Sequence, residues 1–212
     1  MANEPFTLIV GTKTWSSWSL RAWLMLKKCR VPFTEIVVPL RRDDTAARLA
    51  ELSPSGKVPV LRHGDRVVWD TLAIAEYLAD EFPRRALWPR DPAARALARS
   101  ISAEMHSGFT AMRESMPMDF LARHEGGAEP GPATQRDIDR IQAVWRQARD
   151  TFGAAGPYLF GAWTLADAMY APVASRFVTY GVSLEPDSAD YVETLIGDAA
   201  MKEWRTACEA AG

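Results

Sequence analysis

The sequence predicts an α/β domain followed by a domain built only of helices. About the first eighty residues alternate strand-like and helix-like patterns, whereas the rest of the 212-residue chain shows helical patterns almost throughout. Apolar residues make up 48% of the chain, which is enough to bury a substantial core. We therefore predict an α/β domain over residues 1–83, a linker over 84–92 and an all-helical domain over 93–212.

The first half of the α/β domain is predicted from changes in hydrophobic period. Residues 6–10 favour a strand, and residues 16–28 place apolar side chains at helical spacing. A second strand and a second helix follow over 32–38 and 43–52. The Ser-Pro-Ser-Gly turn at 53–56 ends that helix.

Two short strands and a third helix complete the α/β domain. Residues 58–61 and 66–69 are strand candidates, and the turn between them contains a glycine suited to a positive φ. The third helix begins at Asp70, presents one apolar face and ends at Pro83. The predicted order is therefore β-α-β-α-β-β-α.

Residues 83–92 contain three prolines and three arginines, which is typical of a stiff polar connector. Pro117 is expected to kink or split the first helix beyond it, and residues 126–132 form a turn-rich break. Helical periodicity extends over four segments: 93–123, 133–152, 164–180 and a C-terminal stretch through Trp204.

Composition and charge exclude several classes of function. The net charge is only -2 and no long run of Lys and Arg is present, which disfavours a nucleic-acid partner. No stretch approaches the roughly 20 apolar residues that span a bilayer, and the start lacks a signal-peptide pattern, so we predict a cytoplasmic protein without membrane association. Cys29 and Cys208 are too far apart in sequence for a redox or zinc motif, so metal chemistry is disfavoured and both are predicted to be buried.

The strand and helix order, with a Val-Pro step opening the third strand, resembles the thioredoxin-like domain of the cytosolic glutathione S-transferases, and the resemblance covers nearly the whole chain. The run SSWSLR at 16–21 is similar to the zeta-class signature, in which a Ser-Ser pair precedes an Arg at the same spacing. The zeta-class cysteine is replaced here by Trp18. The resemblance implies that Ser16 is the catalytic serine, with Ser17 as second choice and Ser19 as third.

The implied chemistry is stabilisation of a thiolate. An ordinary thiol has a pKa of about 8.5 and is mostly protonated at neutral pH. A serine hydroxyl at the start of a helix donates a hydrogen bond to sulfur, and the positive end of the helix dipole adds to that stabilisation. The alternative is that these serines only cap the helix, as serines often do.

The resemblance also implies a glutathione-binding site on the α/β domain. Val58 and Pro59 would be joined by a cis peptide bond that turns the Val58 backbone toward the cysteinyl part of glutathione. Thr71 and nearby helix amides would bind the γ-glutamyl carboxylate, and Asp70 would pair with its ammonium group. Lys57 is a further candidate contact. The alternatives are a trans proline at an edge strand and an ordinary helix cap at Asp70.

Two features of the helical domain are singled out. Thr164 and Asp167 match a capping box and are assigned a structural role. Arg176 lies farther along the same helix and is a candidate to attract an anionic second substrate, with a solvent-facing or ion-paired arginine as the alternative. The candidate walls of an apolar substrate pocket, which otherwise belong to the core, are Trp18, Met105, Phe109 and Met112.

The resemblance implies an enzyme that activates the sulfur of glutathione and delivers it to an electrophilic carbon, without a metal. Because Trp18 replaces the zeta-class cysteine, we predict an apolar electrophile. The alternatives are a zeta-like maleylacetoacetate isomerase, a noncatalytic glutathione-binding or regulatory protein, and a thiol-disulfide oxidoreductase. The family resemblance also implies a homodimer.

Overall fold

The computed structural model of the protein describes residues 4–124 and 130–211. Its N-terminal part contains β1 (Phe6–Gly11), α1 (Ser17–Cys29), β2 (Phe33–Val38), α2 (Thr45–Leu52), β3 (Val60–His63), β4 (Arg66–Trp69) and α3 (Thr71–Glu81). After a 3-10 turn at Pro83–Arg85, the chain continues with α4 (Pro92–Ser107), α5 (Thr110–Ser115), α6 (Pro132–Phe152), α7 (Leu165–Thr179), α8 (Pro186–Gly197) and α9 (Ala199–Glu209).

The four strands form one mixed sheet in the order β2-β1-β3-β4. β1 pairs in parallel with β2 and antiparallel with β3, and β3 pairs antiparallel with β4. Side chains of β1 alternate between two cores: Leu8 and Val10 join the large core that includes α1 and α3, whereas Ile9 joins a smaller one with Leu49 of α2. All elements of the predicted β-α-β-α-β-β-α order are present. The fold is a thioredoxin-like α/β domain followed by a helical domain.

The helical domain differs from the sequence prediction where one long helix was expected over 93–123. α4 ends at Gly108, where a side chain would lie within 2.8 Å of the Glu104 carbonyl oxygen. Phe109 then adopts a left-handed conformation with φ 58°, and α5 starts after it. This break at Gly108 and Phe109 is additional to the one expected at Pro117, since α5 ends at Ser115, just before the proline. Of the predicted break at 126–132, residues 126–129 lie outside the described residues, and α6 begins at Pro132.

The loop between β1 and α1 is held by the helical domain. The Phe120 amide donates to the Thr14 carbonyl (3.0 Å), and the Trp204 indole donates to the Lys13 carbonyl (3.2 Å). Trp204 also packs edge-on against Trp23 of α1, with ring centroids 5.2 Å apart. These contacts set the position of the start of α1, where the predicted catalytic serines lie.

The capping box at the start of α7 is present as predicted. Thr164 is the N-cap, and the Asp167 carboxylate accepts a hydrogen bond from the Thr164 amide at 2.7 Å. The same carboxylate, which is fully buried, also accepts from the Leu159 amide and the Tyr191 hydroxyl. Asp167 thus joins three segments of the helical domain. No helix in the described part of the chain is long and apolar enough to cross a membrane.

Candidate functional site

A cavity of about 390 Å³ lies where β3, β4 and the starts of α1 and α3 meet the end of α4. Six of the residues predicted from sequence line it: Trp18, Lys57, Val58, Pro59, Asp70 and Thr71. Three further residues complete the lining: Ser55, Trp69 and His106. The cavity therefore brings together side chains from both domains.

The Val58–Pro59 peptide bond is cis, as expected. It immediately precedes β3, which begins at Val60 and pairs with Trp69 of β4. Both Val58 and Pro59 line the cavity, so backbone polar groups beside this bond are placed at its wall. An extended peptide lying there has main-chain partners of the kind that an added strand uses.

Asp70 is the N-cap of α3 and has an unusual backbone conformation. Its φ is +74° with ψ 137°, a region that residues other than glycine rarely adopt. Asp70 Oδ1 accepts a hydrogen bond from the Leu72 amide at 2.8 Å, and Thr71 beside it is buried. Strain of this kind is typical of functional sites, where the surrounding structure holds a residue in a costly conformation.

His106, in the last turn of α4, is a site residue that sequence reasoning missed. Its Nε2 atom lies 3.2 Å from Asp70 Oδ2, and its ring packs edge-on against Trp18 with centroids 5.1 Å apart. The sequence carried no local signal for this role, since the contact joins residues 36 positions apart.

Trp18 lies between cationic groups. The guanidinium of Arg21 is 4.4 Å from the centre of the Trp18 ring and that of Arg113 is 4.7 Å away, both within cation–π range. Arg113 also donates through Nε to the Gly108 carbonyl at 2.9 Å, at the end of α4. The indole is therefore held by charged neighbours as well as by apolar packing.

The two leading serine candidates make different contacts. Ser16 is the N-cap of α1: its hydroxyl oxygen accepts from the Ser19 amide at 3.3 Å and its hydroxyl donates to Ser19 Oγ at 2.7 Å. The Ser17 hydroxyl oxygen accepts from Arg176 Nη2 at 3.3 Å. Both Ser16 and Ser17 are buried, and neither is among the residues that line the cavity.

Three arginines lie close together next to these serines, and we call them the arginine cluster: Arg21 and Arg176, which are buried, and Arg113, which is half-buried. Burial, followed by the charges of the other two arginines, lowers the pKa of Arg21 well below its ordinary value. Burial and then the charge of Arg113 lower the pKa of Arg176 to about 10. Burial lowers the pKa of Arg113 as well, and Asp137 partly opposes this effect.

The partners of the arginine cluster are neutral. Arg21 Nε donates to the Met169 carbonyl (2.9 Å) and Arg176 Nε to the Met116 carbonyl (2.8 Å). Arg21 Nη2 is buried and has no hydrogen-bond partner within the described residues. Because like charges are buried here with only neutral acceptors, an anion placed nearby would be strongly favoured.

The remaining pocket candidates lie in the hydrophobic core. Met105 and Met112 are fully buried, Phe109 is 7% exposed, and none of the three lines the cavity. Their assignment as walls of a second-substrate pocket stays a prediction. In residues 4–124 and 130–211, no group of three His, Cys, Asp or Glu side chains is placed to hold a metal ion.

Comparison with known proteins identifies the N-terminal domain and shows which proteins share the fold. Residues 15–81 match the model of the glutathione S-transferase N-terminal domain. A glutathione transferase homolog from Burkholderia GL BGR1, solved with bound glutathione, superposes with a TM-score of 0.75 at 25% identity, covering 99% of this chain and 100% of that one.

Curated relatives extend over most of the chain. A probable maleylacetoacetate isomerase from Caenorhabditis elegans is 28% identical over 187 residues, which are 88% of this chain and 85% of the relative. Glutathione S-transferase 1 from Dianthus caryophyllus is 27% identical over 197 residues, covering 91% and 86%. Residues 15–81 therefore form a glutathione S-transferase N-terminal domain, and the chain over most of its length is similar to glutathione S-transferases and maleylacetoacetate isomerases.

Proposed function

We propose that this protein binds glutathione in the cavity at the start of α1 and α3 and transfers its sulfur to an electrophilic carbon, with a serine hydroxyl stabilising the thiolate and no metal taking part. The observation that carries the proposal is the cavity itself. It collects the cis Val58–Pro59 bond and the Asp70–Thr71 pair beside the N-terminal end of α1. The glutathione bound in the Burkholderia relative supports the choice of ligand.

The proposed pose of glutathione follows the charges of the cavity. The cysteinyl backbone pairs with the Val58 backbone as an added strand would. The γ-glutamyl carboxylate binds Thr71 and the free amides of the first turn of α3, while the ammonium pairs with Asp70. Lys57 is a cationic partner for a carboxylate of the peptide.

Ser16 is proposed as the donor to sulfur, since it is the N-cap of α1, where the positive end of the helix dipole also favours an anion. Ser17 is the second candidate. We expect Ser16→Ala to keep glutathione binding within a few-fold, but to lower the thiolate fraction and reduce turnover by about 10²-fold, the effect typical of removing an anion-stabilising donor.

The direct measurement is the ultraviolet absorbance of the bound thiolate as a function of pH. Ser100→Ala is a matched control, because this exposed serine on α4 bonds only to its own helix, at the Ala96 carbonyl. An unchanged titration in Ser16→Ala would move the role to Ser17 or Ser19. Glutathione binding without turnover of any electrophile by the parent would favour a noncatalytic glutathione-binding protein.

Two classes of second substrate are supported by different observations. Replacement of the zeta-class cysteine by Trp18 favours an apolar electrophile. The arginine cluster, in which the hydrogen bonds of Arg176 within the described residues all go to neutral acceptors, including the Ser17 hydroxyl, favours an electrophile that carries a carboxylate. Relatives named maleylacetoacetate isomerase add weight to the second class, and we prefer it.

Turnover of both classes by one preparation decides between them. We expect an unsaturated dicarboxylic substrate to react faster than an apolar aryl electrophile, and Arg176→Met to lower the first rate by at least about tenfold while leaving the second within about threefold. Faster reaction of the apolar electrophile, unaffected by Arg176→Met, would overturn the preference.

We further propose a cytoplasmic homodimer, which is the common symmetric assembly. Sedimentation of the purified protein over a range of concentrations tests the dimer, and a monomer at every concentration would contradict it.

A further inference from the structure

We infer that His106 is a positioning residue for glutathione: it reaches from the helical domain and holds the Asp70 carboxylate in the orientation that receives the γ-glutamyl ammonium. This inference rests on the proposed function, because it concerns how the same cavity binds its ligand. It assigns a role to a residue outside the α/β domain, which supplies the other predicted glutathione contacts.

Asp70 is held from two directions. Oδ1 accepts from the Leu72 amide of its own helix at 2.8 Å, and Oδ2 lies 3.2 Å from His106 Nε2 on α4. An ionised carboxylate has about four acceptor positions, and the Leu72 amide occupies one of them, so acceptor positions stay open for a ligand beside the contact with His106. The pairing with His106 therefore orients the carboxylate without using up its capacity to bind an ammonium group.

The orientation would otherwise be poorly defined. The Asp70 side chain is 47% exposed, and an exposed carboxylate held by one hydrogen bond keeps rotational freedom that it loses when a ligand binds. The strained backbone of Asp70, with φ +74°, sets where its Cβ points but leaves the torsion of the carboxylate free. The contact with His106 already restricts the rotation of the Asp70 carboxylate, so less rotational entropy is lost when glutathione binds.

His106 is itself fixed in place. Its ring lies edge-on to Trp18, and its carbonyl is 3.5 Å from Arg113 Nη2, the same guanidinium that lies over Trp18. His106 Nδ1 is buried without a hydrogen-bond partner in the described residues, and Nε2 is the ring nitrogen that faces the Asp70 carboxylate.

The test compares two ligands that differ only at the ammonium group: glutathione, and an analogue in which the α-ammonium of the γ-glutamyl residue is replaced by hydrogen. We expect His106→Leu to weaken glutathione binding by about 5–20-fold and to leave the analogue within about twofold, since the contact with His106 acts on the ligand only through the Asp70 carboxylate, which receives the ammonium. The kcat at saturating glutathione should stay within about twofold of the parent.

Two further variants sharpen the result. His106→Gln places an amide donor near the position of Nε2 and should restore most of the affinity, and it keeps the question testable if His106→Leu fails to fold. His124→Leu is the matched control, because this exposed histidine packs on Tyr180 away from the cavity. Dissociation constants come from calorimetry, with melting temperatures of all variants as a check on folding.

Several results would overturn the inference. Equal weakening of both ligands would mean that His106 only shapes the cavity, and tighter glutathione binding in His106→Leu would mean that it competes with the ammonium for Asp70. If the parent binds glutathione and both His106 variants bind it equally well, this inference fails alone. If the parent binds no glutathione, the proposed function fails and this inference fails with it.

Discussion

Replacement of the buried Asp167 by asparagine should destabilise the protein, and the destabilisation should grow as the pH falls from 7 to 5. The Asp167 carboxylate is fully buried and accepts four hydrogen bonds: from the Leu159 amide (3.2 Å), the Thr164 amide (2.7 Å) and hydroxyl (3.0 Å), and the Tyr191 hydroxyl (2.9 Å). An asparagine side chain has the same shape as an aspartate, but only one oxygen that can accept hydrogen bonds. Its NH₂ group would therefore face hydrogen-bond donors that the second carboxylate oxygen accepts from in the parent.

The expected loss at pH 7 follows from the donors left without an acceptor. Two of the four donors face the Oδ2 atom that becomes NH₂, and one buried unsatisfied donor costs about 1–3 kcal/mol. The carboxylate itself is costly to bury, because desolvation raises the pKa of Asp167 to about 6 in spite of its hydrogen bonds. We therefore expect Asp167→Asn to lower the free energy of unfolding by about 1–3 kcal/mol. Loss of an exposed helix cap costs a similar or smaller amount, ~0.5–2 kcal/mol.

The pH dependence follows from proton linkage. Because the folded-state pKa is about 6 and the ordinary value is 3.8, the folded protein binds more protons at this site than the unfolded chain between those pH values. This stabilisation is complete below the unfolded pKa and is lost as the pH rises through 6. Between pH 7 and pH 5 the parent gains about 1.3 kcal/mol from this group, and Asp167→Asn cannot gain it.

Urea unfolding of both proteins at pH 5, 6 and 7 measures this difference, since contributions from other titrating groups cancel between parent and variant. Asp139→Asn is a matched control on the exposed face of α6, where the side chain accepts only from Gln135. A difference between parent and Asp167→Asn that stays constant, or shrinks toward pH 5, would refute the argument that burial dominates at this carboxylate.

Two further predictions concern the core and the packing of the C-terminal helix. Burial raises the pKa of Cys29 to about 12 and that of Cys208 to about 11, so neither thiol should react with an aromatic disulfide reagent at pH 8 until the protein is unfolded; fast labelling of the native protein would contradict this. Asp198 caps α9 and also accepts from Lys28 and the Tyr158 hydroxyl, so Asp198→Ala should cost about 1–3 kcal/mol, and an unchanged melting temperature would argue against the role of this carboxylate.

The elements of the α/β domain were predictable because their signals are local. Short runs rich in β-branched and apolar residues mark the strands, a proline ends α3 at its expected place, and Ser16 and Asp70 act as N-caps of α1 and α3. The capping box of α7 is likewise contained within four residues. Helix α5 stops just before Pro117, as the proline indicates, but the earlier break between α4 and α5 was missed because a glycine in a helical pattern is a weaker signal than a proline.

The candidate site was predictable in part. The residues that line the cavity from the α/β domain lie next to turns and helix starts, where sequence patterns are informative, whereas Met105 and Met112 follow helical spacing and occupy the core instead. Helical periodicity shows that a residue faces inward, but not whether it meets a cavity or other side chains. The serine that contacts sulfur stays a prediction, with Ser16 and Ser17 as the candidates.

The sequence by itself determined the fold class and the order of the elements, because strands, helices and turns have local patterns. The resemblance to the glutathione S-transferases singled out Val58–Pro59 and Asp70–Thr71 as site residues. Only the tertiary structure decided that His106 meets Asp70 and that Arg176 meets Ser17, at separations of 36 and 159 positions. It also brought Arg21, Arg113 and Arg176 into one cluster. Contacts between distant segments depend on how the helical domain packs against α1, and no local pattern encodes that packing.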